Sequence, residues 1–246
     1  HSSMRLDVFF FFFGYCESRQ EAQEAIKNGN VTVDNLVVTK ASKEVREGAL
    51  LSFQKKRKYV SRGGDKLESA FLTRHTNTDN IRTVLHGKQA LDIGSSTGGF
   101  SDFLLQHGIS HVDAVDVGTS QLHPSLKAKN GLTLYENQDI RTFTADRHYD
   151  IIVADLSFIP LEKILEKVIS FGTAGTDFVL LIKPQFEVGK GNTKKGIVKD
   201  KTLVVAVLEK YTKLLKDYGI NHVQVIESGV LGGDGNQEYF LYFTMQ

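Results

Sequence analysis

A glycine-rich turn at residues 91–100 constrains the fold of this chain more than any other feature. An apolar segment ends at Asp92 and an amphipathic segment follows the turn, which predicts a strand, a tight turn and a helix. The turn contains three glycines, Gly94, Gly98 and Gly99. Glycines at such a turn let backbone N–H groups approach a bound ligand closely. Ser96 stands where the pattern G-x-G-x-x-G requires glycine, so the turn departs from the dinucleotide-binding pattern. The carboxylate of Asp92, two residues before the first glycine, favours a cationic ligand.

Strand-like and helix-like segments alternate from residue 63 to the end of the chain. Short continuous apolar runs, as at residues 151–154 and 178–182, are typical of strands that are covered on both faces. The alternation predicts an α/β fold with a doubly wound, mostly parallel seven-stranded sheet. Residues 229–237 are too few for a crossover helix, so the last strand should run antiparallel to its neighbours.

A small α+β unit is predicted for residues 4–53. Ser18 and Glu21 have the spacing of a capping box, which predicts a short helix that Gly29 would end. The alternating residues 31–33 and 36–38 flank two turn-prone residues and predict a β-hairpin. One helix cannot bury the five consecutive phenylalanines at residues 9–13, so a helix here would leave an apolar patch exposed, and we assign the patch no function.

Basic charge is concentrated towards the N terminus. Residues 1–66 contain 12 Lys and Arg against 8 Asp and Glu, whereas the remaining residues contain 18 against 21. Residues 54–62 are predicted to be a basic linker that leads into a second domain at 63–246. Such a run suits the phosphates of a polyanionic partner, although a solvated linker accounts for it equally well. The cations of this linker are Lys55, Lys56, Arg57, Lys58 and Arg62.

Composition argues against several classes of protein. The single cysteine, Cys16, rules out an internal disulfide framework and suits a reducing compartment, so we expect a cytoplasmic location. No apolar run approaches the ~20 residues that cross a bilayer, and we expect no membrane association. The eight histidines lack metal-ligand spacing, so we expect no metal site. Nothing in the sequence indicates an obligate protein partner.

Six ionisable residues are expected at one edge of the predicted sheet. Open parallel sheets bind ligands outside the carboxyl ends of their strands. Four of the six follow such ends, and the other two reach the same edge through a preceding helix and through the reversed last strand. The six are Lys66, Asp92, Asp116, Asp155, Lys183 and Glu238. The sequence therefore predicts a polar site at this edge.

The N-terminal pattern resembles the α-L RNA-binding domain, a module found in a ribosomal small-subunit protein and in pseudouridine synthases. Arg5, Ser18 and Arg19, together with the hairpin that contains Val31, carry this resemblance. It implies that Arg5 and Arg19 bind RNA.

The second domain resembles a methyltransferase at two places. The turn at residues 91–100 resembles motif I of S-adenosylmethionine-dependent methyltransferases. Lys66, Asp155, Lys183 and Glu238 resemble the Lys-Asp-Lys-Glu tetrad of the FtsJ-like ribose methyltransferases. Together with the N-terminal module, the chain is similar to the haemolysin A (TlyA) family of ribosomal RNA 2′-O-methyltransferases.

This resemblance implies 2′-O-methylation of a ribose, expected in a cytidine of ribosomal RNA, with S-adenosylmethionine as cofactor and the ribosomal subunit or its RNA as partner. A lysine accepts a proton only in its neutral form, which burial and the second cation Lys66 would favour and Asp155 would oppose. By analogy with the family, Lys183 is the base and the other three residues support it. The residues expected to bind the cofactor are Asp92, Gly94, Ser95, Ser96, Gly98, Gly99, Phe100, Asp116 and Asp139.

Three other functions are compatible with parts of the sequence. An NAD-dependent oxidoreductase fits the sheet but not the glycine spacing. A non-catalytic RNA-binding protein fits the N-terminal module and the linker but gives no reason for the four tetrad residues. A membrane-active haemolysin is suggested by the family's historical name and by the phenylalanine run alone.

Overall fold

The computed structural model describes residues 2–16, 18–53, 58–157 and 159–246, and the chain divides into two compact units, residues 1–58 and 59–246. Three cations of the predicted linker, Lys55, Lys56 and Arg57, lie outside the described residues. Tyr59 and Arg62, also expected in the linker, lie in the second unit, where Tyr59 is buried and Arg62 begins a helix.

The N-terminal unit is a small α+β structure. Its elements are β1 (Ser3–Arg5), α1 (Leu6–Phe12), α2 (Arg19–Lys27), β2 (Val31–Val33), β3 (Leu36–Val37), β4 (Glu44–Arg46) and β5 (Leu51–Phe53). Strand β2 lies between β3 and β5 in an antiparallel sheet, and β1 pairs with β4. The sequence analysis did not predict the β1–β4 pair.

Local signals in this unit act as the sequence predicts. The Ser18 hydroxyl accepts a hydrogen bond from the Glu21 N–H at 3.1 Å, which caps α2. Asp34 and Asn35 both have positive φ, the conformation of a two-residue hairpin turn, and they join β2 to β3. The helix α2 buries Ala22, Ala25 and Ile26 on its inner face.

The phenylalanine run divides between core and surface. Phe10 is buried in the core of the unit, whereas Phe12 and Phe13 are 70% and 57% exposed. Helix α1 ends at Phe12, so the last ring of the run lies beyond the helix. The expected exposed apolar patch is therefore present.

The second unit contains the predicted seven-stranded sheet. Its elements are α3 (Arg62–His75), α4 (Thr78–Leu85), β6 (Gln89–Ile93), α5 (Gly99–Gln106), β7 (His111–Val115), α6 (Pro124–Lys127), β8 (Leu132–Tyr135), β9 (Ile151–Ala154), α7 (Leu165–Ser170), β10 (Asp177–Ile182), α8 (Lys201–Asp217), β11 (Val223–Glu227) and β12 (Tyr239–Thr244). The strand order is β11-β12-β10-β9-β6-β7-β8. The strand β12 runs antiparallel to both of its neighbours, which confirms the predicted fold class and the reversed last strand.

Both faces of the sheet are covered, as the continuous apolar strands require. In β9, Ile152 packs with α7 and α8, whereas Ile151 and Val153 pack with α3, α4 and α5 on the opposite face. Residues of β10 alternate in the same way. This arrangement leaves the carboxyl ends of the parallel strands as the edge at which loops can form a site.

Candidate active site

Two ion pairs contain the four tetrad residues. The Nζ atom of Lys183, directly after β10, lies 2.6 Å from Oδ1 of Asp155, directly after β9. The Nζ atom of Lys66, in the second turn of α3, lies 2.8 Å from Oε1 of Glu238, directly before β12. Glu238 and Lys66 are buried, and Asp155 and Lys183 are partly buried. Residues from four distant segments therefore lie as two close pairs at one edge of the sheet.

Two cavities adjoin these ion pairs. The larger has a volume of about 470 Å³, and the polar residues that line it include Asp116, Asp139, Asp155 and Lys183. The smaller has a volume of about 140 Å³ and is lined by Lys66, by Asp155 and by the turn after β6. Asp155 lines both cavities, so one carboxylate borders the space beside each lysine.

The glycines of the turn are required by contacts within the protein. Gly94 has a φ of +75°, and a Cβ there would overlap the backbone carbonyl oxygen of Asp155. A Cβ at Gly98 would overlap the Leu126 side chain. The sequence analysis assigned these glycines to close approach of a ligand. In the structure Gly94 also allows close approach of the loops after β6 and β9, which places Asp155 beside the turn.

A glycine contact also positions Lys66. A Cβ at Gly99 would overlap the Ser61 hydroxyl and would lie 2.8 Å from the Gly64 nitrogen. The first turns of α3 and α5 therefore pack with almost no side chain between them. Because Lys66 lies one turn after Gly63, this close packing keeps its ammonium group near the glycine turn.

Asp116 connects the glycine turn to the end of β7. Its two carboxylate oxygens accept hydrogen bonds from the Ser96 and Gly118 N–H groups, each at 2.7 Å. Ser96 has a φ of +49°, which this hydrogen bond helps to hold. Asp116 is thus fixed in orientation where it lines the larger cavity.

Asp139 lines the same cavity but is already paired. Both of its oxygens accept hydrogen bonds from the Arg141 guanidinium, with a shortest distance of 2.6 Å. These hydrogen bonds lower the pKa of Asp139. Sequence position alone did not indicate this partner.

Asp92 lies beneath the turn and is not among the described residues that line the two cavities. It is fully buried on the face of β6 that packs against α5, and its Oδ2 accepts a hydrogen bond from the Ser101 hydroxyl at 2.7 Å. Burial, with a smaller effect of the nearby Asp155 and Asp116 carboxylates, raises the pKa of Asp92 to about 7. The sequence analysis expected this carboxylate to face the cationic ligand, and the period-2 alternation of β6 instead turns it towards α5.

Replacing Asp92 by Asn is expected to change how stability depends on pH. The folded chain binds a proton at Asp92 up to about pH 7, whereas the unfolded chain releases it near pH 3.8. The wild type therefore loses stability at this residue as pH rises between these values, and Asp92→Asn does not. Urea unfolding without cofactor should show the variant gaining about 2 kcal/mol relative to wild type between pH 5 and pH 8. An equal difference at both pH values would contradict the assignment.

The predicted RNA-binding cations have partners within the protein. Arg5 forms two hydrogen bonds with the buried Asp7, and Arg19 lies 3.6 Å from the same carboxylate. Burial raises the pKa of Asp7, but the hydrogen bonds from Arg5 and Gln23 outweigh it and lower the pKa to about 2. One carboxylate thus orients two partly exposed guanidinium groups, which keeps a net positive charge at this surface.

The remaining described cations of the predicted linker differ from each other. Lys58 is exposed, and the Arg62 guanidinium donates to the Leu231 carbonyl oxygen at 2.7 Å. This hydrogen bond connects the start of α3 to the loop before β12. Arg62 therefore also holds a loop that leads to Glu238.

Sequence reasoning missed Gln185, which lies two residues after Lys183. Its Nε2 donates to Oε2 of Glu238 at 3.2 Å and to Oδ2 of Asp234 at 3.1 Å. The position of Gln185 beside a tetrad lysine was a signal, but its contact with Glu238 depends on the tertiary fold.

The described residues contain neither a cluster of metal-ligating side chains nor a helix that could span a membrane. Among the residues that the structure describes, no group of three or more His, Cys, Asp or Glu side chains is arranged to bind a metal ion. The described helices also include none with the length and apolarity that a membrane crossing needs.

Comparison with known proteins identifies the family. The sequence profile of the FtsJ-like methyltransferases matches residues 59–245, and that of the S4 domain matches residues 4–51. The chain belongs to the FtsJ-like methyltransferase family. This FtsJ-like enzyme uses S-adenosylmethionine as its methyl donor. The S4 match corresponds to the ribosomal-protein module expected for the N-terminal unit.

Two relatives of this FtsJ-like methyltransferase match it along nearly their whole length. "Hemolysin A" of Brachyspira hyodysenteriae is 36% identical over 98% of this chain and 100% of that protein. The "16S/23S rRNA (cytidine-2'-O)-methyltransferase TlyA" of Mycobacterium tuberculosis is 35% identical over 98% of this chain and 90% of that protein. A solved structure of a hemolysin-type protein from Streptococcus thermophilus superposes with a TM-score of 0.71 at 32% identity, covering 99% of this chain and 89% of that one.

Proposed function

We propose that this methyltransferase transfers a methyl group to the 2′-oxygen of a ribose, in a cytidine of ribosomal RNA. The observation that carries the proposal is the pair of lysine–carboxylate contacts, Lys183–Asp155 and Lys66–Glu238, beside cavities at the carboxyl edge of the sheet. The cytidine and the ribosomal substrate are supported by the printed names of relatives that match nearly the whole chain.

Lys183 is the proposed base. A ribose hydroxyl is a weak nucleophile at neutral pH, so its proton must leave as the oxygen attacks. The 2′-oxygen forms a bond to the methyl carbon, the carbon–sulfur bond breaks, and the proton moves to Nζ of Lys183, whose own proton must leave before the transfer. Asp155, 2.6 Å from that nitrogen, fixes its position, and the Lys66–Glu238 pair is proposed to orient the hydroxyl.

The larger cavity is the proposed binding site for S-adenosylmethionine, which supplies a methyl group already activated on a positively charged sulfur. Its volume of about 470 Å³ suits a small molecule, and carboxylates outnumber cations among the ionisable residues that line it. Asp116 and Asp139 would hold the nucleoside part. The Ser95 hydroxyl lies beside the smaller cavity, buried and with no hydrogen-bond partner in the part of the chain that the structure describes. It is available to the methionine part, together with the backbone from Gly94 to Phe100.

The N-terminal unit is the proposed RNA-binding unit. Arg5 and Arg19 are oriented by Asp7 and remain about half exposed, so they can contact phosphates. Lys58, Arg62 and the cations outside the described residues are further proposed contacts to RNA phosphates. Modification of ribosomal RNA implies a cytoplasmic location, which stays a prediction.

Incubation of ribosomal subunits and free ribosomal RNA with labelled S-adenosylmethionine tests this function. We expect label in RNA, and we expect nuclease digests to contain a methylated cytidine whose 3′ phosphodiester resists alkali. Binding of the RNA with no label transferred would favour the non-catalytic alternative. Leakage from lipid vesicles with no transfer would favour the haemolysin alternative.

A further inference from the structure

We propose that Gln185 is a positioning residue that couples the two ion pairs of the site. This inference rests on the proposed function, because it assigns Gln185 a part in the same transfer. Glu238 accepts one hydrogen bond at each oxygen, from Lys66 at Oε1 and from Gln185 at Oε2. The Lys66–Glu238 pair thus connects to the segment that contains Lys183.

A short rigid segment links Gln185 to Lys183. A 3₁₀ turn at Pro184–Phe186 follows the lysine directly, with the Phe186 N–H donating to the Lys183 carbonyl oxygen at 3.0 Å. Pro184 is buried, and its carbonyl oxygen accepts the Glu187 N–H at 2.9 Å. A shift of Gln185 is therefore transmitted to Lys183 through a turn with little freedom.

The end of the turn is fastened to the helical layer. The Tyr211 hydroxyl of α8 donates to Oε2 of Glu187 at 2.7 Å and accepts the Glu162 N–H at 3.0 Å. Glu162 lies on the segment that follows Asp155. The segments after β9 and β10, which contain Asp155 and Lys183, are thus held to the same tyrosine.

The chemistry of an amide explains why glutamine suits this position. Its NH₂ group donates to two carboxylates, Glu238 and Asp234, which would otherwise repel each other across the same space. Its carbonyl oxygen is buried and has no hydrogen-bond partner among the described residues. Burial of an unpaired acceptor is unfavourable, so the two hydrogen bonds that the NH₂ group donates must contribute more than this burial costs.

Two substitutions separate positioning from bulk structure. Gln185→Glu keeps the shape, removes both donors and adds a third carboxylate beside Glu238 and Asp234. Gln185→Met keeps the length and has neither donors nor charge. For both variants we expect kcat to fall about 10- to 100-fold at pH 8, with the affinity for S-adenosylmethionine unchanged.

The pH profile provides the decisive readout. In Gln185→Glu, a proton shared among the three carboxylates restores a donor as pH falls, so its kcat relative to wild type should rise between pH 8 and pH 6. For Gln185→Met, kcat relative to wild type should stay constant between pH 8 and pH 6. Gln224→Glu, which places the same charge on β11 away from the site, should match wild type throughout.

The outcomes are distinguishable. A wild type that forms no 2′-O-methylated product contradicts the proposed function, whereas an active wild type with Gln185→Glu and Gln185→Met at wild-type kcat overturns the role of Gln185 alone. A loss that is pH-independent in both variants, or that accompanies weakened cofactor binding, also overturns it. Melting temperatures are measured in parallel, and Gln185→Met decides the question through its kcat and cofactor affinity if the Glu variant does not fold.

Discussion

Replacing Lys183 by Ala is expected to lower the rate of methyl transfer by roughly 10²–10⁴-fold, the usual contribution of a positioned acid or base. The variant has no nitrogen to accept the hydroxyl proton, and Asp155 loses the ammonium group that now lies 2.6 Å away. Cofactor affinity should change little, because the other polar residues that line the larger cavity remain. Single-turnover transfer to ribosomal RNA and calorimetric titration with S-adenosylmethionine measure the two effects separately.

Lys216→Ala is the matched control for this experiment. Lys216 is an exposed lysine in α8 that does not line the larger cavity. Its replacement therefore removes the same type of side chain and leaves that cavity unchanged. We expect wild-type transfer from this variant. Transfer by Lys183→Ala within a few-fold of the control would remove Lys183 from the chemistry and leave it a structural ion-pair partner.

Replacing Gly94 by Ala is expected to destabilise the second unit and to weaken cofactor binding. A Cβ at this position overlaps the Asp155 carbonyl oxygen, which is backbone and cannot move without shifting the end of β9. Positive φ adds a cost of about 1–2 kcal/mol for any residue with a Cβ. We expect a total loss of about 3 kcal/mol or more in unfolding free energy, which corresponds to a melting temperature lower by about 6–12 °C for a chain of this size.

Gly87→Ala separates the cost of positive φ from the cost of the overlap with the Asp155 carbonyl oxygen. Gly87 has a φ of +73°, close to that of Gly94, and a Cβ there would meet nothing within 4 Å. This variant should show the conformational cost alone and should bind S-adenosylmethionine normally. Equal destabilisation by the two substitutions would mean that the overlap with Asp155 is relieved cheaply, and that the glycine turn does not fix the position of Asp155.

The architecture of the second unit could be predicted because strands buried on both faces have a strong sequence signal. Ile151 to Ala154 form a continuous apolar run, and the interval before β12 is too short for a crossover, so both the sheet and its reversed strand follow from local pattern. Helix α4 was missed because its first turn is polar and only Ile81 and Leu85 are buried. The β1–β4 pair was missed because two three-residue strands carry almost no pattern.

The site was predictable to the level of the sheet edge but not to the level of side-chain direction. Strand-end position brings Asp92 and Asp155 to one edge, yet alternation turns Asp92 towards Ser101 while Asp155 lines both cavities. Contacts such as Gln185 with Glu238 join residues far apart in sequence, and Asp139 with Arg141 depends on a local turn. The first kind of contact is fixed by tertiary packing, which no single segment specifies.

The chemical identity of the methylated atom tests the central claim most directly. Ribosomal RNA treated with S-adenosylmethionine and either wild type or Lys183→Ala can be digested to nucleosides and analysed by mass spectrometry. We predict 2′-O-methylcytidine with the wild type and, at the same early time point, roughly a hundredth as much or less with the variant. Methylation on a base, or a 2′-O-methylated nucleoside formed equally by the variant, would contradict the account.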